Sequence, residues 1–196
     1  GIPLAYYLGK INEPPLTRTL GPIFKPMPDL SDHHRTTIQR SWLNLMLDEI
    51  PMAEFDQFCT SHNFTDWLPF RWRGLKQTTR YTYLLDFQNK TINDLWRALN
   101  ENRKRDIKKA IKNNLTVKST DDARLFYQLV EQTYRRQNLT FQFNIDDFLV
   151  LDKAAKKNDS RKIFVAVDGN GEPHAAAYFV YTQKSAYYLL AGNVTR

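Results

Sequence analysis

A single cysteine, Cys59, and four histidines are the only thiol and imidazole groups in the 196 residues. One cysteine excludes an intramolecular disulfide and fits a reducing compartment. Cys59 and His62 form a lone Cys-x-x-His, and His33 and His34 sit together at a helix start. Zinc asks for about four ligands at defined spacing, so no metal centre is expected. Cys59 has no recognisable nucleophile context and reads as buried filler. His33 and His34 read as surface residues of a first turn. His174 follows Pro173 at a strand entrance, as a solvent-facing turn residue or, alternatively, a proton carrier. The Gly-x-Ser-x-Gly elbow and the phosphate-cradling GxxxxGK[ST] loop are both missing. Gly169-Asn170-Gly171 joins two strands, so it is a hairpin turn rather than a ligand loop. No apolar run approaches the ~20 residues that span a bilayer, no signal-peptide pattern is present, and no period of ~20–50 residues marks a solenoid.

What is present is ordinary globular composition with a basic balance. The chain is 42% hydrophobic and 25% charged, which argues against disorder, and its length suits one large or two small domains. A formal charge of +7 favours anionic partners: nucleic acid, a phosphate-bearing cofactor, a nucleotide-linked substrate or an anionic membrane surface. Both ends read as cut through structure, so the chain is expected to be a fragment.

The most distinctive stretch is Thr91 to Asn114. Ile92, Leu95, Trp96, Leu99, Ile107, Ala110 and Ile111 recur at the spacing of one helix face. Thr91 with Asp94 forms a start signal, and Asn113-Asn114 a stop. The spacing predicts one long amphipathic helix, its second half cationic through Arg97, Arg103, Lys104, Arg105, Lys108, Lys109 and Lys112. Such a face is either solvated, complementing the helix dipole, or a binding surface.

Upstream, Ile2–Leu8 and Thr19–Lys25 suit short strands, the second at an edge or bulge because it contains Gly21-Pro22. Ser31 or Asp32 caps a helix to about Ile50, with Ile38, Trp42, Leu45, Met46 and Ile50 on one face and Pro51 ending it. A short strand is expected within Ala53–Thr60. In the aromatic-basic passage Asn63–Phe87, Trp67, Phe70 and Trp72 alternate with Arg71, Arg73 and Lys76. That mixture either stacks bases and clamps phosphate or fills a core whose rim is covered by cationic stems. Alternation over Thr79–Phe87 predicts a strand. Downstream, Leu115–Lys118 suits a strand, and Ser119 with Asp122 caps a helix to Gln137 whose inner face is Phe126, Leu129, Val130, Thr133 and Tyr134. Arg135-Arg136 at its end either grips an anion or complements the dipole. Asn144 with Asp147 caps another helix to about Lys157, followed by a meander of strands near 163–168, 175–182 and 186–192. The order describes an α+β domain of a mixed sheet flanked by helices.

Three passages together resemble a known family. Leu95–Val117 is similar to the start of the second half of the Fem-type aminoacyltransferases, which build peptidoglycan cross-bridges, and of their relatives in the GNAT superfamily. Ile107-Lys108-Lys109-Ala110-Ile111-Lys112 carries the closing pattern; Lys104 stands where the family commonly has arginine, flanked by Arg103 and Arg105. Ala123–Phe143 resembles the next helix, with its Thr-x-x-Arg end, and Lys162–Asn193 the strand hairpin and following strand that close on Gly-Asn. Pro14–Phe24 and Trp67–Phe87 look like passages of a subset associated with cell-surface polysaccharide biosynthesis.

The resemblance implies residues 1–88 as the C-terminal part of one GNAT-like domain and 89–196 as the N-terminal part of a second, with the acceptor between them. Ile107, Ala110 and Ile111 would then pack inward. It implies a cytoplasmic acyltransferase, also at home at the inner face of the membrane. The donor would be acyl-CoA or aminoacyl-tRNA, and the acceptor a nucleotide- or lipid-linked sugar precursor of cell wall or surface polysaccharide. The donor's pyrophosphate would sit in the loop after the fourth strand, which for the second domain falls at Arg196; the matching loop of the first, Lys25–Asp32, has prolines and no Gly-x-Gly. Attack by an amine or hydroxyl needs positioning, an oxyanion donor and a proton acceptor rather than a metal. Asp86, Asp106, Tyr187 and Tyr188 are the candidate catalytic groups, and alternation lets only one of the two tyrosines face a site. Arg103, Lys104, Arg105, Arg135 and Arg136 are the candidate anion contacts. A non-catalytic basic module that binds RNA or another polyanion is the alternative reading.

Overall fold

The computed structural model describes residues 5–7, 10–14, 16–50, 54–55, 59–141 and 143–194. The chain divides into two compact units, Gly1–Tyr83 and Leu84–Arg196.

In the first unit, strands β1 (Ala5–Tyr7), β2 (Lys10–Asn12) and β3 (Glu54–Phe55) form a small mixed sheet, antiparallel between β1 and β2 and parallel between β2 and β3. The rest of the expected strands Ile2–Leu8 and Ala53–Thr60 falls partly outside the described residues. Thr19–Lys25, expected as an edge strand, carries no strand pairing. Helix α1 (Asp32–Asp48) starts where Ser31 accepts from the His34 amide, as its sequence signal predicts. Its buried residues are Leu43 and Leu47, not the stripe through Trp42 and Leu45, which lie exposed. The difference comes from helix α2 (Leu68–Trp72), which brings Phe70 onto Leu43 and Leu47, with Met46, Ile50, Phe64 and Trp67 around them. That small core is what holds the unit together.

The expected strand Thr79–Phe87 is absent. Tyr81 is 94% and Tyr83 99% exposed, and among the described residues the alternating pattern has no ladder partner. A strand exists by pairing its backbone groups, and period-two sequence alone does not supply that.

The second unit opens with α3 (Ile92–Ala98) and α4 (Glu101–Lys112), two helices rather than one. Leu99 turns to an extended conformation (φ −63°, ψ 141°), and Asn100 restarts the helix by accepting from the Arg103 amide at 3.0 Å. Lys104 Nζ then reaches back to the Arg97 carbonyl at 3.2 Å, satisfying an acceptor left open at the end of α3. The start signal is as expected: Thr91 and Asp94 form a reciprocal capping box. Asn114 ends the segment in the left-handed region at φ 58°. Neither helix has a buried residue, so Ile107, Ala110 and Ile111 do not pack into a core.

Strands β4 (Thr116–Thr120), β5 (Arg161–Val167), β6 (Pro173–Tyr181) and β7 (Ala186–Asn193) form an open antiparallel sheet in chain order. Helices α5 (Ala123–Arg136) and α6 (Ile145–Lys157) intervene between β4 and β5. Asp122 itself caps α5, in place of the expected Ser119, and Asn144 caps α6 as expected. Phe126, Leu129 and Val130 of α5, Phe148 of α6, and Ile163, Tyr178 and Leu189 of the sheet are buried as one core. The rings of Phe126, Phe148 and Tyr178 pack with centroids 5.3–5.6 Å apart, one pair stacked and the others tilted or edge-on. The fold is α+β, an open sheet with helices against it.

Candidate functional site

Two of the passages that the resemblance quoted, the Thr-x-x-Arg end of α5 and the Gly-Asn end of β7, meet at one place. Gly192 lies so close to α5 that a Cβ there would sit 2.3 Å from the Val130 nitrogen and 2.4 Å from the Leu129 carbonyl carbon. This close backbone approach is what glycine permits in a strand. It brings Asn193 onto the last turn of α5. Thr133 Oγ1 accepts from the Asn193 amide at 2.7 Å and lies 3.0 Å from the Asn193 carbonyl. Arg136 donates to the Asn193 carbonyl at 3.1 Å and to its Oδ1 at 2.7 Å. Thr-x-x-Arg and Gly-Asn are thus two halves of one joint.

The candidate anion contacts fare differently from one another. Arg136 is engaged by Asn193, and Arg135 pairs with Glu131 at 3.1 Å. Arg103 pairs with Asp106 at 3.2 Å, and Lys104 with Glu101 at 2.8 Å. Lys104 also holds the Glu101 carboxyl below the usual carboxylate range, chiefly through that hydrogen bond. Of the five, Arg105 alone makes no hydrogen bond or ion pair among the described residues.

Among the catalytic candidates, Asp106 is the partner of Arg103, and exposed Asp86 accepts from the Gln88 amide at 2.9 Å. Tyr187 and Tyr188 are adjacent on β7 and both are exposed, so alternation does not choose between them. Tyr188 lies against Phe179, with ring centroids 5.5 Å apart. The register of β6 against β7 shifts next to them: Phe179 faces Tyr188 while Tyr178 faces Leu190. Irregularities of this kind re-aim side chains.

The first unit has a cleft of about 870 Å³, lined by Cys59, His62, Trp67, Lys76 and Arg80 among others. Arg80 donates to the Cys59 sulfur at 3.1 Å. Burial pushes the Cys59 thiol pKa up, the charge of Glu13 adds to this, and Arg80 opposes both. In the aromatic-basic passage Phe70 is buried, and Arg73 is tied to Asn44 and Asp48 of α1. Arg71 covers the Trp67 ring at 5.7 Å. Trp72 stays exposed.

The sequence reading missed a buried polar network in the second unit. Arg161 donates to Asp152 at 2.9 Å and to Asp121 at 2.6 Å, and Tyr178 donates to Asp152 at 2.9 Å. Burial and the Asp152 carboxylate raise the Tyr178 pKa far above its ordinary value. Asp121 is held below the usual carboxylate range by Lys156 and then Arg161. Two signals could have found it. Arg161 is in step with the apolar face Ile163, Val165 and Val167, and Asp152 lies one helical turn beyond Phe148 on α6. His174 turns inward to Asp168 at 3.1 Å rather than facing solvent.

Among the described residues no group of three or more His, Cys, Asp or Glu could hold a metal ion, and no helix is long and apolar enough to cross a membrane. No curated protein gives a significant match to this chain. Residues 51–146 match the model of the FemAB family, a stretch that holds the cleft lining, α3, the cationic α4 and all of α5, and over that stretch the chain is FemAB-like.

Proposed function

We propose that this chain belongs to the machinery of an acyl- or aminoacyltransferase that modifies a peptidoglycan or surface-polysaccharide precursor. The match of residues 51–146 to the FemAB family carries this reading. The GNAT-type chemistry would be attack by an acceptor amine or hydroxyl on an acyl ester or thioester. The ester C–O or thioester C–S bond breaks as the new acyl bond forms, and the acceptor's proton passes to a base or to water. Tyr187 and Tyr188, exposed beside the register shift of β7, are our candidates for contact with an acceptor. Arg105, the candidate cation with no hydrogen bond or ion pair among the described residues, is the one that can meet a phosphate without breaking an existing pair.

The donor is aminoacyl-tRNA or acyl-CoA, and the two are separable by experiment. A donor held at about 100 times its dissociation constant adds ~2.7 kcal/mol to stability. Thermal unfolding of the chain with aminoacyl-tRNA, uncharged tRNA, acyl-CoA and free CoA should show a rise of several degrees with one acylated donor class. No shift with either class refutes the proposal.

A further inference from the structure

The cleft of the first unit contains none of the residues assigned to acyl transfer. It lies wholly within that unit, and its volume of about 870 Å³ is that of a small-molecule site. Residues 1–83 carry nine lysines and arginines against eight aspartates and glutamates, so the unit as a whole is close to neutral. Its cleft is not. Arg73, Lys76 and Arg80 line it, and no carboxylate does. A recess lined by charge of one sign concentrates ligands of the other.

The three cations are not equivalent. Arg73 is spent on Asn44 and Asp48 of α1. Lys76 makes no hydrogen bond or ion pair among the described residues, and Arg80 donates to the Cys59 sulfur at 3.1 Å. That sulfur is no counter-ion. Burial and then the Glu13 carboxylate push the thiol pKa up against the opposing pull of Arg80, so Cys59 stays a neutral thiol. Glu13 accepts from the Cys59 amide and makes no ion pair among the described residues. Two cations of the lining therefore stand without a balancing carboxylate.

The rest of the lining narrows the kind of anion. Thr60, Ser61, Thr78 and Thr79 bring hydroxyl donors. A carboxylate offers two oxygens to such a set, whereas a phosphate ester offers three and a charge of about −2, matching two cations. A bare phosphate ion would fill a small part of the cleft. Phe64, Trp67 and Leu75 give the remainder an apolar wall.

We propose that this cleft binds a small phosphate ester, its phosphate held by Lys76 and Arg80 and its organic part lying against Phe64, Trp67 and Leu75. Nucleotides and sugar phosphates share that chemistry. The inference does not rest on the transferase reading, because it is measured in the first unit and without an acyl donor.

Cys59 is the only cysteine of the chain, so a thiol reagent reports on this cleft alone. The test follows alkylation of Cys59 by iodoacetamide in the 196-residue chain, with AMP, α-glucosyl phosphate, adenosine, glucose or inorganic phosphate present. A bound ester covers the sulfur and draws Arg80 away from it. Labelling should therefore slow about tenfold when AMP, α-glucosyl phosphate or both are held at about ten times the dissociation constant. Protection by AMP marks a nucleotide site, and protection by α-glucosyl phosphate a sugar phosphate site. Adenosine, glucose and inorganic phosphate at the same concentration should leave the rate nearly unchanged. Lys76→Gln and Arg80→Gln, with protection compared within each variant, should each weaken the ester roughly tenfold or more, since each removes a charge-assisted hydrogen bond. Lys153→Gln with Lys157→Gln removes two exposed charges from α6 and should change nothing, which separates a built site from the overall positive charge. Lys76 and Arg80 are exposed, and urea unfolding checks that their variants fold. Protection by neither ester, equal protection by the unphosphorylated parents or by inorganic phosphate, or undiminished protection in the Lys76 and Arg80 variants overturns the proposal.

Discussion

Gly192→Ala is the substitution whose consequence is most directly set by the geometry. The added methyl would lie 2.3 Å from the Val130 nitrogen, 2.4 Å from the Leu129 carbonyl carbon and 2.5 Å from its oxygen. Carbon contacts settle near 3.5 Å, so α5 must retreat from β7 by about 1 Å. All three obstacles are backbone atoms inside a hydrogen-bonded helix, and none can swing aside as a side chain would. Overpacking of this kind costs roughly 1–3 kcal/mol. The retreat also stretches the Thr133 and Arg136 bonds to Asn193, worth about 0.5–1.5 kcal/mol apiece. The sum, about 2–6 kcal/mol, is a large share of the ~5–15 kcal/mol by which domains are stable. Urea unfolding should show a much lower midpoint with unchanged slope. Gly169→Ala is the control, because its Cβ would meet nothing within 4 Å. If Gly192→Ala lies within ~0.5 kcal/mol of the parent, the close approach of α5 and β7 is wrong.

Three further outcomes are expected. Arg161→Ala leaves the buried Asp152 carboxylate without its cation and should cost ~3–5 kcal/mol by urea unfolding, whereas Tyr178→Phe, which removes one donor, should cost only ~1–3 kcal/mol. Asp168 is held below the usual carboxylate range first by the His174 ring and then by the Glu172 and Asn170 amides. Its contribution is therefore complete above the ordinary value of about 3.9 and is lost as pH falls through the lower folded value, so Asp168→Asn should flatten the acid limb of the stability profile below about pH 4. Asn100→Ala removes the cap that restarts α4 and should cost about 1 kcal/mol. Since α4 has no buried residue, the loss should appear as faster amide exchange in residues 101–112 with little change in global unfolding.

Local chemistry was the legible part of this sequence. Ser31, Thr91 with Asp94, and Asn144 mark helix starts because a short polar side chain meets open amides within its own turn. The meander of β5, β6 and β7 was legible because the DGNG turn and alternating apolar residues point the same way. What failed was whatever depended on a distant surface. Thr79–Phe87 has a strand's alternation and no partner strand among the described residues. Leu43 and Leu47 are buried because α2 lands on them, which no helix periodicity states. The break at Leu99 has no proline or glycine to announce it. It rests on Asn100 outcompeting the continuing helix for the Arg103 amide, with Lys104 closing the exposed carbonyl behind it. The network of Asp121, Asp152, Arg161 and Tyr178 draws on α6, β5, β6 and the entry to α5, so no single window contains it.

The same reasoning narrows where chemistry can reside. Thr133, Arg136 and Asn193 meet at one joint, and their polar atoms bond to one another. Recruiting Arg136 to a ligand would break two hydrogen bonds to Asn193 and release the end of β7. Recruiting Arg103 would uncover Asp106, and recruiting Lys104 would uncover both Glu101 and the Arg97 carbonyl. Arg105 carries no such cost. Truncating Arg105 should therefore weaken an anionic ligand while leaving stability almost unchanged, whereas truncating Arg136 should lower stability whether or not a ligand is present. A loss of stability in the Arg105 variant, or none in the Arg136 variant, would show that the division between structural and available cations has been drawn in the wrong place.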